Sequence, residues 1–101
     1  MIGLIITAND ELYERLASKA LADGQTPRRA MNVLDGFKYA MAQPVSTIIV
    51  DMSLHASDTL VEALHSRRVT CNIPLFAVKS SKRLPFELRR LCTDVLETGT
   101  L

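Results

Sequence analysis

The chain has 101 residues and a formal net charge of +1, with 48% hydrophobic and 23% charged residues. This length has room for one domain, and the composition is typical of a folded globular protein rather than a disordered one. The small net charge excludes a general attraction to nucleic acid or acidic membrane. The sequence also has no signal-peptide core and no apolar run long enough to span a membrane. We therefore expect one cytoplasmic domain over residues 1–101, without membrane or direct nucleic-acid contact.

Strand and helix signals alternate along the first part of the chain. Met1–Thr7 is a short, nearly continuous apolar run, which is typical of a strand buried on both faces of a parallel sheet. Leucines and alanines then recur at helical spacing, behind a cap at Asn9 or Asp10 and before a stop at Gly24. Thr26–Met31 is predicted to be an edge strand, because it contains a proline and two arginines.

The same alternation continues to the end of the chain. Val45–Asp51 is the clearest strand in the sequence, and its last residue is a carboxylate. Thr59 and Glu62 have the spacing of a capping box, which predicts the start of a third helix. The other predicted elements are a helix from Asn32 to the Gln43-Pro44 pair, a strand over Asn72–Val78, a short helix over Pro85–Leu91 and a strand over Thr93–Glu97.

This order, βαβαβαβαβ, predicts an α/β fold with a parallel five-stranded sheet, helices on both faces and right-handed crossovers. We expect Phe37, Phe76 and Phe86 to lie in its core. The chain stops just after the last strand, where such folds usually add another helix. We expect that final helix to be missing or supplied elsewhere, by a partner or a downstream segment. An uncovered apolar face would favour self-association, so a dimer is expected.

The stretch from Val45 to Val78 resembles the receiver domain of response regulators. In that family a buried strand ends in a phosphoaccepting aspartate, followed by a loop, a helix and a strand that begins Ile-Pro. Here the strand ends at Asp51, and Ile73-Pro74 opens the next one. The resemblance implies a flavodoxin-like topology over nearly the whole chain, with Asp51 in the position of the phosphoacceptor.

The acidic residues that the resemblance requires are mostly absent. Receivers hold Mg²⁺ with two acids after the first strand, since phosphoryl transfer depends on charge stabilisation. When the first strand is aligned with that of receivers, those positions are Thr7 and Ala8, although Asn9 and Asp10 are close by. We therefore expect no metal, no cofactor and no enzymatic activity.

The signalling hydroxyl and the lysine of receivers are also replaced. Lys79 stands where receivers place a Ser or Thr, with Ser80 next to it, and no lysine follows the fifth strand. In one interpretation the Lys79 ammonium group pairs with Asp51 and substitutes for the phosphorylated or metal-bound state. What remains is a vestigial phosphoacceptor pocket formed by Asp51, Asn9, Asp10, Lys79 and Ser80.

Other polar residues have simpler interpretations. His55 is expected to be exposed in its loop, and the basic residues between Arg67 and Arg90 are expected to form a solvated surface. Cys71 and Cys92 are far apart, without CxxC spacing or a neighbouring catalytic His or Asp. They therefore predict neither a zinc site, nor a disulfide, nor a nucleophile.

Three functional hypotheses follow. The first is a non-catalytic pseudo-receiver that acts as a regulatory or protein–protein interaction module in a bacterial signalling or transcription-regulating protein. The second rests on Asn72–Val78 and Lys82–Leu88, which are similar to the N-terminal wing of bacterial ornithine, lysine and arginine decarboxylases. That resemblance implies an assembly domain, with the pyridoxal-phosphate lysine in a downstream domain. The third is an atypical receiver that is phosphorylated on Asp51.

Overall fold

The computed structural model describes residues 1–79 and 84–97, and these residues alternate between five strands and four helices. The strands are β1 (Ile2–Ile6), β2 (Thr26–Ala30), β3 (Thr47–Asp51), β4 (Leu75–Lys79) and β5 (Asp94–Glu97). The helices are α1 (Asp10–Ala22), α2 (Val33–Ala42), α3 (Ser57–Ser66) and α4 (Phe86–Arg89). No helix in these two ranges is both long and apolar enough to cross a membrane.

The five strands form one parallel sheet in the order β2-β1-β3-β4-β5. This is the doubly wound order of flavodoxin-like folds, so the predicted fold class is confirmed. β2 lies at one edge of the sheet, as its composition predicted, and its Pro27 stands opposite Gly3 of β1. An edge strand tolerates proline because its outer side has no ladder bond to donate.

β1 is buried on both faces, as predicted. Leu4 and Ile6 are 0% exposed and belong to the hydrophobic cluster that includes residues of α2, α3 and α4. Ile5 is also 0% exposed but packs with Leu12 and Leu16 of α1 in a second cluster. The helices therefore cover both faces of the sheet, with α1 on one face and α2 to α4 on the other.

The start of α3 differs from the prediction. Thr59 and Glu62 do not form its cap, because the helix already begins at Ser57. The residue before it, Ala56, has φ 61° and ψ 22° and provides no side-chain hydrogen bond. Its carbonyl accepts the first helical bond, from Leu60 N–H at 3.1 Å. The left-handed backbone at Ala56 thus turns the chain into the helix before the predicted capping box is reached.

The prediction for Phe86 is also wrong. α4 is only four residues long, and Leu88 is its buried residue, at 7% exposed. Phe86 is 73% exposed, because one helical turn can direct only one large side chain into the core. Phe37 and Phe76 are half-buried.

Gly36 provides a test of how closely α2 packs on β1. A Cβ atom at Gly36 would lie 2.5 Å from Cδ1 and 2.8 Å from Cγ1 of Ile6.

Helix propensity favours Gly36→Ala by about 1 kcal/mol, but overpacking a buried contact costs about 1–3 kcal/mol. We predict that Gly36→Ala lowers the free energy of unfolding by about 1 kcal/mol net, measured by urea denaturation. Ile6→Val should partly relieve the loss, so that the double variant is more stable than the sum of the single effects implies. A Gly36→Ala chain as stable as the parent would contradict this packing.

Candidate functional site at the carboxyl edge of the sheet

The carboxyl ends of β1 and β3 meet where the strand order reverses, which is where open α/β sheets place their ligands. Asp51 ends β3 and is 6% exposed, and Thr7 follows β1 and is 0% exposed. The Thr7 hydroxyl donates a hydrogen bond of 2.7 Å to Asp51 Oδ2. A direct side-chain bond therefore joins the two strands at the centre of the site.

The other carboxylate oxygen of Asp51 is bound by the loop that follows β3. Asp51 Oδ1 accepts hydrogen bonds from Ser53 N–H at 2.9 Å and from Ser53 Oγ at 2.7 Å. A buried carboxylate is costly unless it is hydrogen-bonded, and here neutral donors bind both oxygens. Ser53 was not among the predicted site residues, although an Asp followed two residues later by a Ser is the spacing of such a local turn.

Asn9 organises the loop between β1 and α1. Its side-chain oxygen accepts from Leu12 N–H at 3.0 Å, so Asn9 is the N-cap of α1, which is one of the two predicted caps. Its own N–H donates to Thr7 Oγ1 at 3.1 Å. The Thr7 hydroxyl therefore accepts from Asn9 and donates to Asp51, which fixes its orientation.

Asp10 is bound to β2 rather than to Asp51. Its side chain is 83% exposed, and its carboxylate oxygen Oδ1 lies 2.8 Å from Nη1 of Arg29. Arg29 was not among the predicted site residues. Arg29 Nε also donates to the Thr7 carbonyl at 3.2 Å, and its guanidinium lies 5.0 Å from the centre of the Tyr13 ring. Arg29 thus anchors the loop that carries Thr7, and no sequence pattern pointed to this cross-strand contact.

Lys79 forms an ion pair on the β5 side of the site. Its ammonium nitrogen lies 3.7 Å from Glu97 Oε1, and both side chains are substantially exposed. The suggested Lys79–Asp51 pair does not form, because the ion pair of Lys79 joins β4 to β5 instead. Ser80, the last residue of the predicted pocket, lies outside the described residues.

These residues do not fit the Mg²⁺ site that the resemblance to receivers implied. Mg²⁺ requires near-octahedral oxygen ligands and is usually bound through one or two carboxylates that face it, with waters in the other positions. Here the Thr7 hydroxyl donates to Asp51 Oδ2, and Asp10 is paired with Arg29. In residues 1–79 and 84–97 no group of three or more His, Cys, Asp or Glu side chains could hold a metal ion.

The remaining reactive side chains lie away from this site. His55 is exposed, as predicted, and so is Cys71. Burial raises the pKa of the Cys92 thiol above its ordinary value. Because the thiolate is the nucleophilic form of cysteine, this shift lowers the reactivity of Cys92 near neutral pH.

Many solved structures share the fold of this chain, including the following three. A response regulator receiver domain (CheY-like) from Methylobacillus flagellatus matches with a TM-score of 0.84 and 18% identity, over 97% of this chain and 86% of that chain. The N-terminal domain of a response regulator receiver protein from Methanoculleus marisnigri JR1 matches with a TM-score of 0.80 and 15% identity, over 98% and 86%. A sensor protein from Polaromonas sp. JS666 matches with a TM-score of 0.85 and 18% identity, over 97% and 83%.

No protein-family model matches the sequence, and a search of curated protein sequences gives no match. The structural likeness, at this low identity, concerns the fold. The chain has the receiver (CheY-like) form of the flavodoxin-like fold, as its sequence predicted.

We predict that Thr7→Val lowers the free energy of unfolding by about 1–3 kcal/mol, because it leaves a buried oxygen of Asp51 without its donor. Chemical denaturation measures the loss. Thr26→Val, at an exposed position that starts β2, is the matched control and should change stability by less than about 0.5 kcal/mol. In an Asp51→Asn background, Thr7→Val should cost less than in the parent. Equal effects of Thr7→Val and Thr26→Val would show that the Thr7–Asp51 bond does not stabilise the protein.

Proposed function

We propose that this chain is a pseudo-receiver: a non-catalytic interaction module with the receiver fold, in a bacterial signalling or transcription-regulating protein, that is not phosphorylated by the usual Mg²⁺-dependent route. The observation that carries this proposal is the closed hydrogen-bond system around Asp51. Thr7 and Ser53 bind both oxygens of its carboxylate.

The charges around Asp51 support the part of the proposal that says Asp51 is not phosphorylated by the usual route. Phosphoryl transfer depends on cations that neutralise the charge of the transferred group. At this edge the cationic groups of Arg29 and Lys79 are each paired with a carboxylate, of Asp10 and of Glu97. A phosphoryl group on Asp51 would have to displace the Thr7 hydroxyl or the Ser53 donors in a buried place, while the nearest cations already lie beside carboxylates.

The fold supports the part of the proposal that describes an interaction module. A receiver fold whose aspartate is not phosphorylated still presents helical surfaces at fixed positions. Large apolar side chains that are exposed on such surfaces favour contacts with other proteins. Several are present on the helices and on the segments that connect helices and strands: Leu21, Met31, Leu34, Val69 and Phe86. We therefore propose that the chain acts by binding a protein partner.

The assembly-wing hypothesis stays a prediction, since the same flavodoxin-like topology serves it equally well. A downstream domain with a cofactor lysine would identify a wing, and its absence from the native gene product would exclude one. The hypothesis of an atypical phosphorylated receiver is tested directly by the following experiments.

The first test is phosphorylation. Incubation with Mg²⁺ and acetyl phosphate should leave the intact mass of the parent chain unchanged, because Thr7 and Ala8 stand where two acids would have to hold Mg²⁺ beside Asp51. A phosphorylatable receiver treated in parallel is the positive control. Added phosphate on the parent that is lost in Asp51→Asn would overturn the proposal and establish phosphorylation at Asp51.

The second test restores the acids. Thr7→Asp together with Ala8→Asp places two carboxylates near Asp51, where they repel each other until a cation binds. We predict that Mg²⁺ at ten times its Kd stabilises this double variant by about 1.4 kcal/mol, which is roughly 5–10 °C in Tm for a domain of this size.

The Tm of the parent chain should not respond to Mg²⁺. Adding Asp51→Asn to the double variant should remove the response, which ties the metal to this edge of the sheet. If the parent itself gained stability from Mg²⁺ in a manner that depends on Asp51, the site would be a metal site and the proposal would fail.

A further inference from the structure

A groove lies between α2 and α3, on the face of the sheet opposite α1. Its volume is about 770 Å³, which is within the range of ligand-binding clefts. It is open to solvent, and its lining is mainly apolar. The larger apolar side chains that line it include Val33, Leu34, Phe37, Leu54 and Leu60.

The floor of this α2–α3 groove is fixed by the core. Leu60 is 2% exposed within the main cluster, and Phe37 and Leu54 are packed against that cluster. Leu34 stands at the rim and is 61% exposed. The groove is therefore preformed, and an occupant would bury chiefly the rim leucine.

The groove is lined by an acid, Asp35, and by a base, Arg67. In parallel β-α-β units each helix starts at the carboxyl edge of the sheet and runs away from it. Asp35, in the first turn of α2, therefore lies near the carboxyl edge, while Arg67, the C-cap of α3, lies near the opposite edge. The Arg67 guanidinium lies 5.7 Å from the centre of the Phe37 ring, which holds it over the groove. The Arg67 guanidinium, over the Phe37 ring, thus favours an acidic group on whatever binds beside it.

The dimensions favour a helix as the occupant. Thr59 and Arg67, which both line the groove, are about two helical turns or roughly 12 Å apart along α3. Apolar anchors at i, i+3 and i+7 of an amphipathic helix span a similar length, about 10 Å. An open apolar trough between two helices is the surface on which such helices dock, whereas small molecules are usually enclosed.

We propose that the α2–α3 groove binds an amphipathic helix of a partner protein, with its apolar stripe against Leu34 and the groove floor and an acidic residue paired with Arg67. This inference rests on the proposed function as an interaction module and names the surface that the module uses. It requires no change at Asp51.

The test uses a fluorescent amphipathic helical peptide of about 15 residues, with leucines at i, i+3 and i+7 and two glutamates beyond the last leucine. A second peptide carries lysines in place of the glutamates. Fluorescence anisotropy with the full chain measures the affinity, and heteronuclear NMR locates the site. The glutamate peptide should bind more tightly, with shifts centred on α2, α3 and Leu54.

Two pairs of variants make the test specific. Leu34→Gln should weaken binding by about tenfold, while Leu21→Gln, at a position on α1 that is 64% exposed, should leave it unchanged. Arg67→Glu should reverse the preference between the two peptides, and Arg90→Glu, at an exposed position after α4, should preserve it. Circular dichroism checks that all four variants fold.

Failure to bind either peptide, equal loss in Leu34→Gln and Leu21→Gln, or shifts on another surface would overturn the proposal. Light scattering that shows a dimer abolished by Leu34→Gln would instead assign the groove to a second copy of this chain. These outcomes are independent of the acetyl phosphate result, so failure of the groove and failure of the pseudo-receiver proposal can be distinguished.

Discussion

A carboxylate at the end of a buried strand has to find hydrogen-bond donors inside the protein, and this requirement organises the carboxyl edge of the sheet. Asp51 is 6% exposed, and Thr7 and Ser53 provide its three hydrogen bonds. Thr7 is in turn held by Asn9 N–H at its hydroxyl and by Arg29 at its carbonyl. The ends of β1, β2 and β3 are thus joined in one network around a single buried charge.

The donors that bind the Asp51 carboxylate itself are neutral, whereas phosphoryl transfer depends on cations beside the acceptor. A metal site would present oxygen ligands to a cation, whereas here a hydroxyl occupies the position from which a second acid would act. The nearest basic side chains already have partners: Arg29 is paired with Asp10, and Lys79 with Glu97. Both oxygens of the Asp51 carboxylate are already bound by donors of the protein, which is the physical basis for proposing a constitutive module.

Local patterns predicted the fold well, because strand burial, helix spacing and caps are written in neighbouring residues. Asn9 and Asn32 cap the first two helices, and the proline in β2 places that strand at an edge. The site was predicted less completely. Arg29 contacts Thr7 and Asp10 across strands, and no sequence spacing encodes such a contact. Phe86 is apolar but lies on a helix too short to bury it, so its exposure depends on tertiary structure.

The site at Asp51 and the α2–α3 groove share one loop. Ser53 binds Asp51 Oδ1, and Leu54, the next residue, donates its N–H to the Asp51 carbonyl at 3.1 Å while its side chain lines the groove. The hydrogen bonds from Ser53 and Leu54 to Asp51 therefore also hold a wall of the groove in place. A preorganised surface loses less conformational entropy on binding, and a ligand shifts a conformational equilibrium only through its differential affinity for two states. With the loop already held in this way, the groove that we propose as a docking site is formed before a partner arrives.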